Sequence, residues 1–199
     1  MSLFSLKSLR VGDLRPLSLE LRPGECIALS GPSGSGKSRL LRAMADLDRH
    51  QGEMFLNDQS ATKISAPDWR RQVSLLPAES AWWGQTTGEH FSSDCNVVML
   101  RQLGFDSASM QWQVSRCSTG EKQRLALLRV LCNQPQVLLL DEPTASLDSD
   151  NVDKVEAMIL SYLAKGHAAV WVSHDPAQRK RVASRHLEIK GKDVVEAVV

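Results

Sequence analysis

Eight consecutive residues, Gly31-Pro32-Ser33-Gly34-Ser35-Gly36-Lys37-Ser38, carry the spacing G-x-x-x-x-G-K-[ST]. Glycines so placed let the backbone curl until several N–H groups converge on one point, at the positive end of a following helix. That arrangement receives phosphate oxygens. Lys37 is positioned to reach the outer phosphates of a nucleotide, and the Ser38 hydroxyl suits Mg²⁺. The nucleotide-binding set read here runs from Gly31 through Ser38 to Arg39. A second chemical pair, Asp141-Glu142, follows the apolar run Val137-Leu138-Leu139-Leu140. A carboxylate at the C-terminal end of a parallel strand lies at the edge where α/β sheets bind ligands. There Asp141 can enter a Mg²⁺ shell and Glu142 can polarise a water for attack on a γ-phosphate. Alone, two acids after an apolar run also describe a strand that ends in a charged turn. The glycine loop gives them their weight.

The elements around these residues are those the chemistry needs. Leu17, Leu19 and Leu21 alternate with Ser18 and Glu20, the period of a half-buried strand, and Pro23-Gly24 marks a tight turn. A short apolar strand over 25–30 leads into the glycine loop. The stretch from Lys37 to Met44 then consists of good helix formers, with Leu40, Leu41 and Met44 on one face. Further strands are predicted over 52–57, 72–76, 137–140 and 168–172, and helices over about 120–133, 151–165 and from Pro176 onward. The run at 137–140 has the continuous apolarity of a strand buried on both faces of a parallel sheet. Repeated strand–helix units predict an α/β fold. Residues 79–116 differ, with three of the five tryptophans, many Ser and Gln, and no clear strand. They predict a short helical insertion.

Three more segments give the chain a resemblance. Cys117-Ser118-Thr119-Gly120-Glu121, 23 residues ahead of Asp141 counting from Ser118, resembles the L-S-G-G-[QE] signature of the ATP-binding cassette (ABC) ATPases. Ala145-Ser146-Leu147-Asp148 resembles that family's D-loop, and His174 matches its switch histidine, 32 residues after Glu142. The resemblance spans essentially the whole chain. It implies a P-loop NTPase core with a mainly parallel sheet, an N-terminal antiparallel β subdomain and a short helical insertion, all within one ATPase domain over 1–199 whose helical subdomain covers 79–134. The activity implied is Mg²⁺-dependent ATP hydrolysis, with Lys37, Glu142 and His174 catalytic and Ser38 and Asp141 on the metal. The partners implied are a transmembrane permease and a second cassette, either another copy of this chain in an ATP-dependent homodimer or a related one. Ser118 and Gly120 would meet the γ-phosphate held by the opposite cassette, and Asp148 would link the two sites. Such a subunit is cytoplasmic, held at the inner face of the membrane by its permease. The segments at 121–125 and 169–175 further resemble iron-export ATPases of enteric bacteria.

The sequence departs from that pattern at four places: Cys117 for leucine, Thr119 for the first signature glycine, Ala78 for the glutamine that senses the permease, and Val11 for the aromatic that stacks on adenine. Phe4 is the alternative aromatic, though a place in the strand core suits it better. These changes touch recognition and sensing and leave the hydrolytic residues intact. Trp82-Trp83 reads either as an exposed anchor for a permease helix or as core of the insertion.

Composition agrees with a folded domain, at 42% hydrophobic and 24% charged over 199 residues. A net charge of +1 weighs against nonspecific nucleic-acid binding. No apolar run reaches the roughly 18 residues of a membrane span, and the first ten residues lack the apolar stretch of a signal peptide. Cys26, Cys95, Cys117 and Cys132 show no CxxC pair, which favours reduced thiols over disulfides or zinc. The soluble alternative, a cassette acting in DNA repair or on ribosomes, commonly carries long coiled-coil or zinc insertions or a second cassette, whereas this sequence shows one cassette and a short insertion. A weakly active regulatory cassette is the other alternative, favoured by Ala78 and Thr119 and opposed by Glu142 and His174.

Overall fold

The computed structural model describes residues 2–91 and 97–197; Cys95 and part of the 79–134 segment fall outside them. Two sheets organise the chain. The first is antiparallel, in the order β2-β1-β4-β5, from β1 (Phe4–Arg10), β2 (Leu17–Leu21), β4 (Gln51–Leu56) and β5 (Gln59–Ser60). The second runs through β3 (Cys26–Ser30), β6 (Val73–Leu76), β7 (Val137–Asp141), β8 (Ala168–Val172), β9 (Arg185–Lys190) and β10 (Asp193–Ala197). Its order is β10-β9-β3-β8-β7-β6, parallel except where β10 folds back on β9. This is the α/β class expected, with the antiparallel sheet at the N-terminal end.

Among the described residues six α-helices connect the strands: α1 (Lys37–Met44), α2 (Ala66–Gln72), α3 (Val97–Gln102), α4 (Thr119–Cys132), α5 (Ser149–Leu163) and α6 (Pro176–Val182). The continuous apolarity of β7 has a direct cause. Val137 and Leu139 join the core shared with α1 and the antiparallel sheet, while Leu138 and Leu140 join a second core with α3, α4 and α5. Every residue of β3, β7 and β8 is buried. Each buried Leu or Val contributes about 1.5–3 kcal/mol, so these central strands are firmly held.

Two stretches depart from the sequence reading. The helix α2 falls in a stretch for which the sequence reading gives no element, and Pro67 stands within it. The proline sits in the first turn, where no N–H is required, behind the Ser65 side chain, which accepts from the Asp68 N–H. Between residues 79 and 118, described residues form 3₁₀ turns at Thr87–His90, Ser107–Gln111 and Val114–Arg116 and only one α-helix, α3. Ring contacts hold this segment together: Phe105 on Trp112, with Arg124 over Phe105 and Arg116 over Trp112. No helix among the described residues is long and apolar enough to cross a membrane.

Candidate functional site

The C-terminal ends of three buried strands define one edge. From β3 the chain enters the glycine loop and then α1. Gly36 takes φ 100 as the residue before α1, and Gly31 takes φ 149, where a Cβ would sit 3.0–3.1 Å from Ser35 and Ile189. Both positions need glycine. No side chain caps α1, and its first turn holds no acid, so its leading N–H groups are open to an anion. Lys37 Nζ donates to the carbonyl oxygens of Gly31 at 2.9 Å and Pro32 at 3.0 Å, folding the ammonium over its own loop. The Ser35 Oγ is buried without a hydrogen-bond partner. A loop with uncapped donors, an ammonium and an orphan hydroxyl fits a polyphosphate.

From β7 come Asp141 and Glu142. Asp141 is only 6% exposed. Burial pushes its carboxyl above the usual range, hydrogen bonding from Ser38 pulls it down, the Glu142 charge raises it and Lys37 lowers it; the net shift is upward. The residues expected on the metal, Ser38 and Asp141, thus lie side by side. One carboxylate and one hydroxyl are hard oxygen donors, as Mg²⁺ prefers when substrate phosphates supply further ligands. Among the described residues, no cluster of three or more His, Cys, Asp or Glu could hold a metal by itself. The donor set therefore fits a Mg²⁺ that arrives with its nucleotide.

Glu142 has φ 49, uncommon for a side-chain-bearing residue and often a mark of functional strain. Its N–H donates to the Val172 carbonyl at 3.2 Å, which ties it to the end of β8. Two residues beyond that end, His174 places Nε2 3.1 Å from Glu142 Oε1. The pair lines a cavity of about 250 Å³ with Thr144, Ala145, Ser173 and Gln178.

Sequence reading missed the scaffold beneath this pair. Gln178 donates to Thr144 Oγ1 and Glu156 Oε1, both at 2.9 Å, and Arg181 grips Glu156 with two bonds of 3.0 and 2.8 Å. Burial pushes Glu156 up, but hydrogen bonds from Arg181 and Gln178 and the Arg181 charge hold it below the ordinary carboxylate range. These residues lie in three separate segments, so no local spacing announces them.

The remaining predicted residues lie elsewhere on the chain. Ser118 caps α4 in a reciprocal box: the Glu121 N–H donates to Ser118 Oγ at 3.2 Å, while the Ser118 N–H and hydroxyl donate to Glu121 Oε2 at 2.8 and 3.0 Å. Gly120 lies against Ser146 and Leu147, where a Cβ would sit 3.1 Å from each. Asp148 caps α5 and accepts from Asn151 N and Nδ2, both at 2.9 Å, which holds its carboxyl below the usual range. Neither position considered for adenine stacking is available: Val11 is 2% exposed, and Phe4 is 0% exposed against Trp69. The tryptophan pair divides. Trp82 packs against the second core, while Trp83 is 74% exposed with its ring on His90 and near the Arg129 guanidinium.

A glycine loop between β3 and α1, with acids at the end of β7, defines a P-loop nucleotide-binding domain. The family model described as "ABC transporter" matches residues 14–145. Relatives include Protein STAR1 of Oryza sativa subsp. japonica, 33% identical over 198 residues, covering 93% of this chain and 57% of that protein. Another, of Escherichia coli strain K12, carries the name "Probable iron export ATP-binding protein FetA". It is 31% identical over 175 residues, covering 81% of this chain and 78% of the relative. The ATP-binding cassette MJ0796, solved as a dimer in a post-hydrolysis state with ADP and Pi, superposes with a TM-score of 0.83. That overlap covers 98% of this chain and 97% of that one at 22% identity, a likeness of fold. The chain belongs to the ABC transporter family, as an ATP-binding domain.

Proposed function

We propose that this chain is the ATP-hydrolysing subunit of an ABC transporter, in which two copies close around two ATP molecules and drive a separate transmembrane permease. The observation that carries the reading is one sheet edge that joins an uncapped phosphate loop, Asp141 and the Glu142–His174 pair at 3.1 Å. On binding, Lys37 would exchange the Gly31 and Pro32 carbonyls for phosphate oxygens, a charge-assisted bond. A Mg²⁺ held by Ser38 and Asp141 would draw charge from the phosphates. Glu142 would accept the proton of the attacking water, and His174 Nε2 would hold the carboxylate in place through Oε1. From the second copy, Ser118, Gly120 and the N-terminus of α4 would face the γ-phosphate, and Asp148 would lie between the sites.

The exposed ring of Trp83 borders a cavity of about 360 Å³ with Leu75, His90, Phe91, Arg129 and Val130. We assign this cavity a short cytoplasmic helix of the permease. The subunit would then sit at the inner face of the membrane without entering it.

The test uses a tagged Glu142→Gln protein and detergent-solubilised membranes of its own cell, with ATP and Mg²⁺. Recovery of a polytopic membrane protein, together with an ATP-dependent dimer by light scattering, is expected. A protein that binds ATP, stays monomeric and recovers only soluble partners would overturn the transport reading.

A further inference from the structure

The hydrolytic residues occupy one side of the phosphate loop, so the rest of the nucleotide must leave it on the other. A cavity of about 330 Å³ lies there. Its walls are residues 11–14, the glycine loop from Gly34 to Gly36, Arg39 and the Gly191-Lys192 turn, none of them aromatic. Val11 turns its side chain into the core. Arg39, in the first turn of α1, lays its guanidinium directly on Gly12. A Cβ added to Gly12 would fall 2.6 Å from Nη1 and 3.0 Å from Cζ, and Gly12 has φ 55. A residue with a side chain would therefore displace the guanidinium. Arg39 is exposed and, among the described residues, makes no hydrogen bond or ion pair. The acid whose charge it feels, Asp48, is already held by Arg42 through two bonds of 2.9 Å. The cavity thus contains an unengaged, planar cation whose Nη1 end lies against the Gly12 backbone.

We infer that the Arg39 guanidinium is the platform for the purine base of ATP, which stacks on it as a π-face over a cation. This rests on the ATP reading above and adds to it the residue that recognises the base. Guanidinium planes stack on aromatic rings where an ammonium, a compact point charge, does not. Gly12, by lacking a Cβ, leaves room for the guanidinium beside the loop.

The experiment separates base from phosphate by titrating two probes, Mg-ATP and Mg-tripolyphosphate, into the Glu142→Gln protein, where turnover is slowed. Arg39→Ala should weaken ATP roughly threefold to thirtyfold and leave tripolyphosphate where it was. Arg39→Lys, which keeps the charge and loses the plane, should resemble the alanine variant, and Arg39→Trp should recover most of the ATP affinity. Gly12→Ala, checked for an unchanged melting temperature, should weaken ATP by displacing the guanidinium. Equal loss of both probes in Arg39→Ala would put the guanidinium on the phosphates and overturn the assignment. So would no loss of either. A parent protein that binds neither probe would instead bring down the ATP reading itself.

Discussion

The sheet edge that carries Lys37, Asp141 and Glu142 and the segment from 79 to 118 are built in opposite ways. At the edge, each chemical residue follows a strand buried on both faces, and β3, β7 and β8 lie side by side in the sheet. The 79–118 segment has little regular structure among its described residues. It is held by rings, cations and side-chain bonds to backbone, such as the His90 Nε2 that accepts from the N–H groups of Trp83 and Gly84 at 2.9 Å. Geometry that must hold within a fraction of an ångström is tied to the core. The surface proposed to meet the permease is hung on adaptable contacts. Three of the four departures from the family pattern follow this division: Ala78, Cys117 and Thr119 lie in or beside the adaptable segment, whereas Val11 lies in the core, and Lys37, Ser38, Asp141, Glu142 and His174 match the pattern.

The largest effect should come from the edge. Glu142→Gln should slow phosphate release by roughly 10²- to 10⁴-fold with ATP binding retained; turnover near that of the parent would remove Glu142 from the chemistry. Next come two tryptophans. Trp171, fully buried in β8, should cost about 3–5 kcal/mol of unfolding free energy when changed to Ala. Trp83→Ala should cost under about 0.5 kcal/mol yet abolish capture of the membrane partner. Similar melting temperatures for the two variants would erase the contrast between the regions.

The smallest effect concerns Asp141, whose carboxyl is raised chiefly by burial. A raised acid adds stability that is complete below its unfolded value of about 3.9 and is lost as pH rises through the folded value. Asp141→Asn should therefore melt at nearly the parent temperature near pH 4 and above it at pH 7, while hydrolysis is lost. An Asn variant less stable than the parent at pH 7 would contradict the desolvation account.

Legibility followed the same division. The glycine loop is contiguous, so its spacing alone exposes it, and Val137–Leu140 is read easily because both faces of β7 are buried. The helix α2 went unread because it is only seven residues long and carries a proline in its first turn, a residue that stands equally at a helix start or a break. The 79–118 segment has neither helical nor strand period because rings and single hydrogen bonds stabilise it. The Gln178–Thr144–Glu156–Arg181 network and the contact of Arg39 with Gly12 join distant parts of the chain, which no local pattern records.

The reciprocal box of Ser118 and Glu121 makes closure of the proposed dimer an exchange reaction. The hydroxyl that would meet the neighbour's γ-phosphate is already satisfied at 3.0 Å within its own helix. Sealing the interface must therefore trade one bond for another of similar kind, so the net drive from that residue is small. Once the phosphate departs, the old partner is still at hand a single rotamer away. A contact of that kind behaves like a clasp that reopens by itself, and it would give the proposed dimer a short lifetime after hydrolysis without any further device to pull it apart.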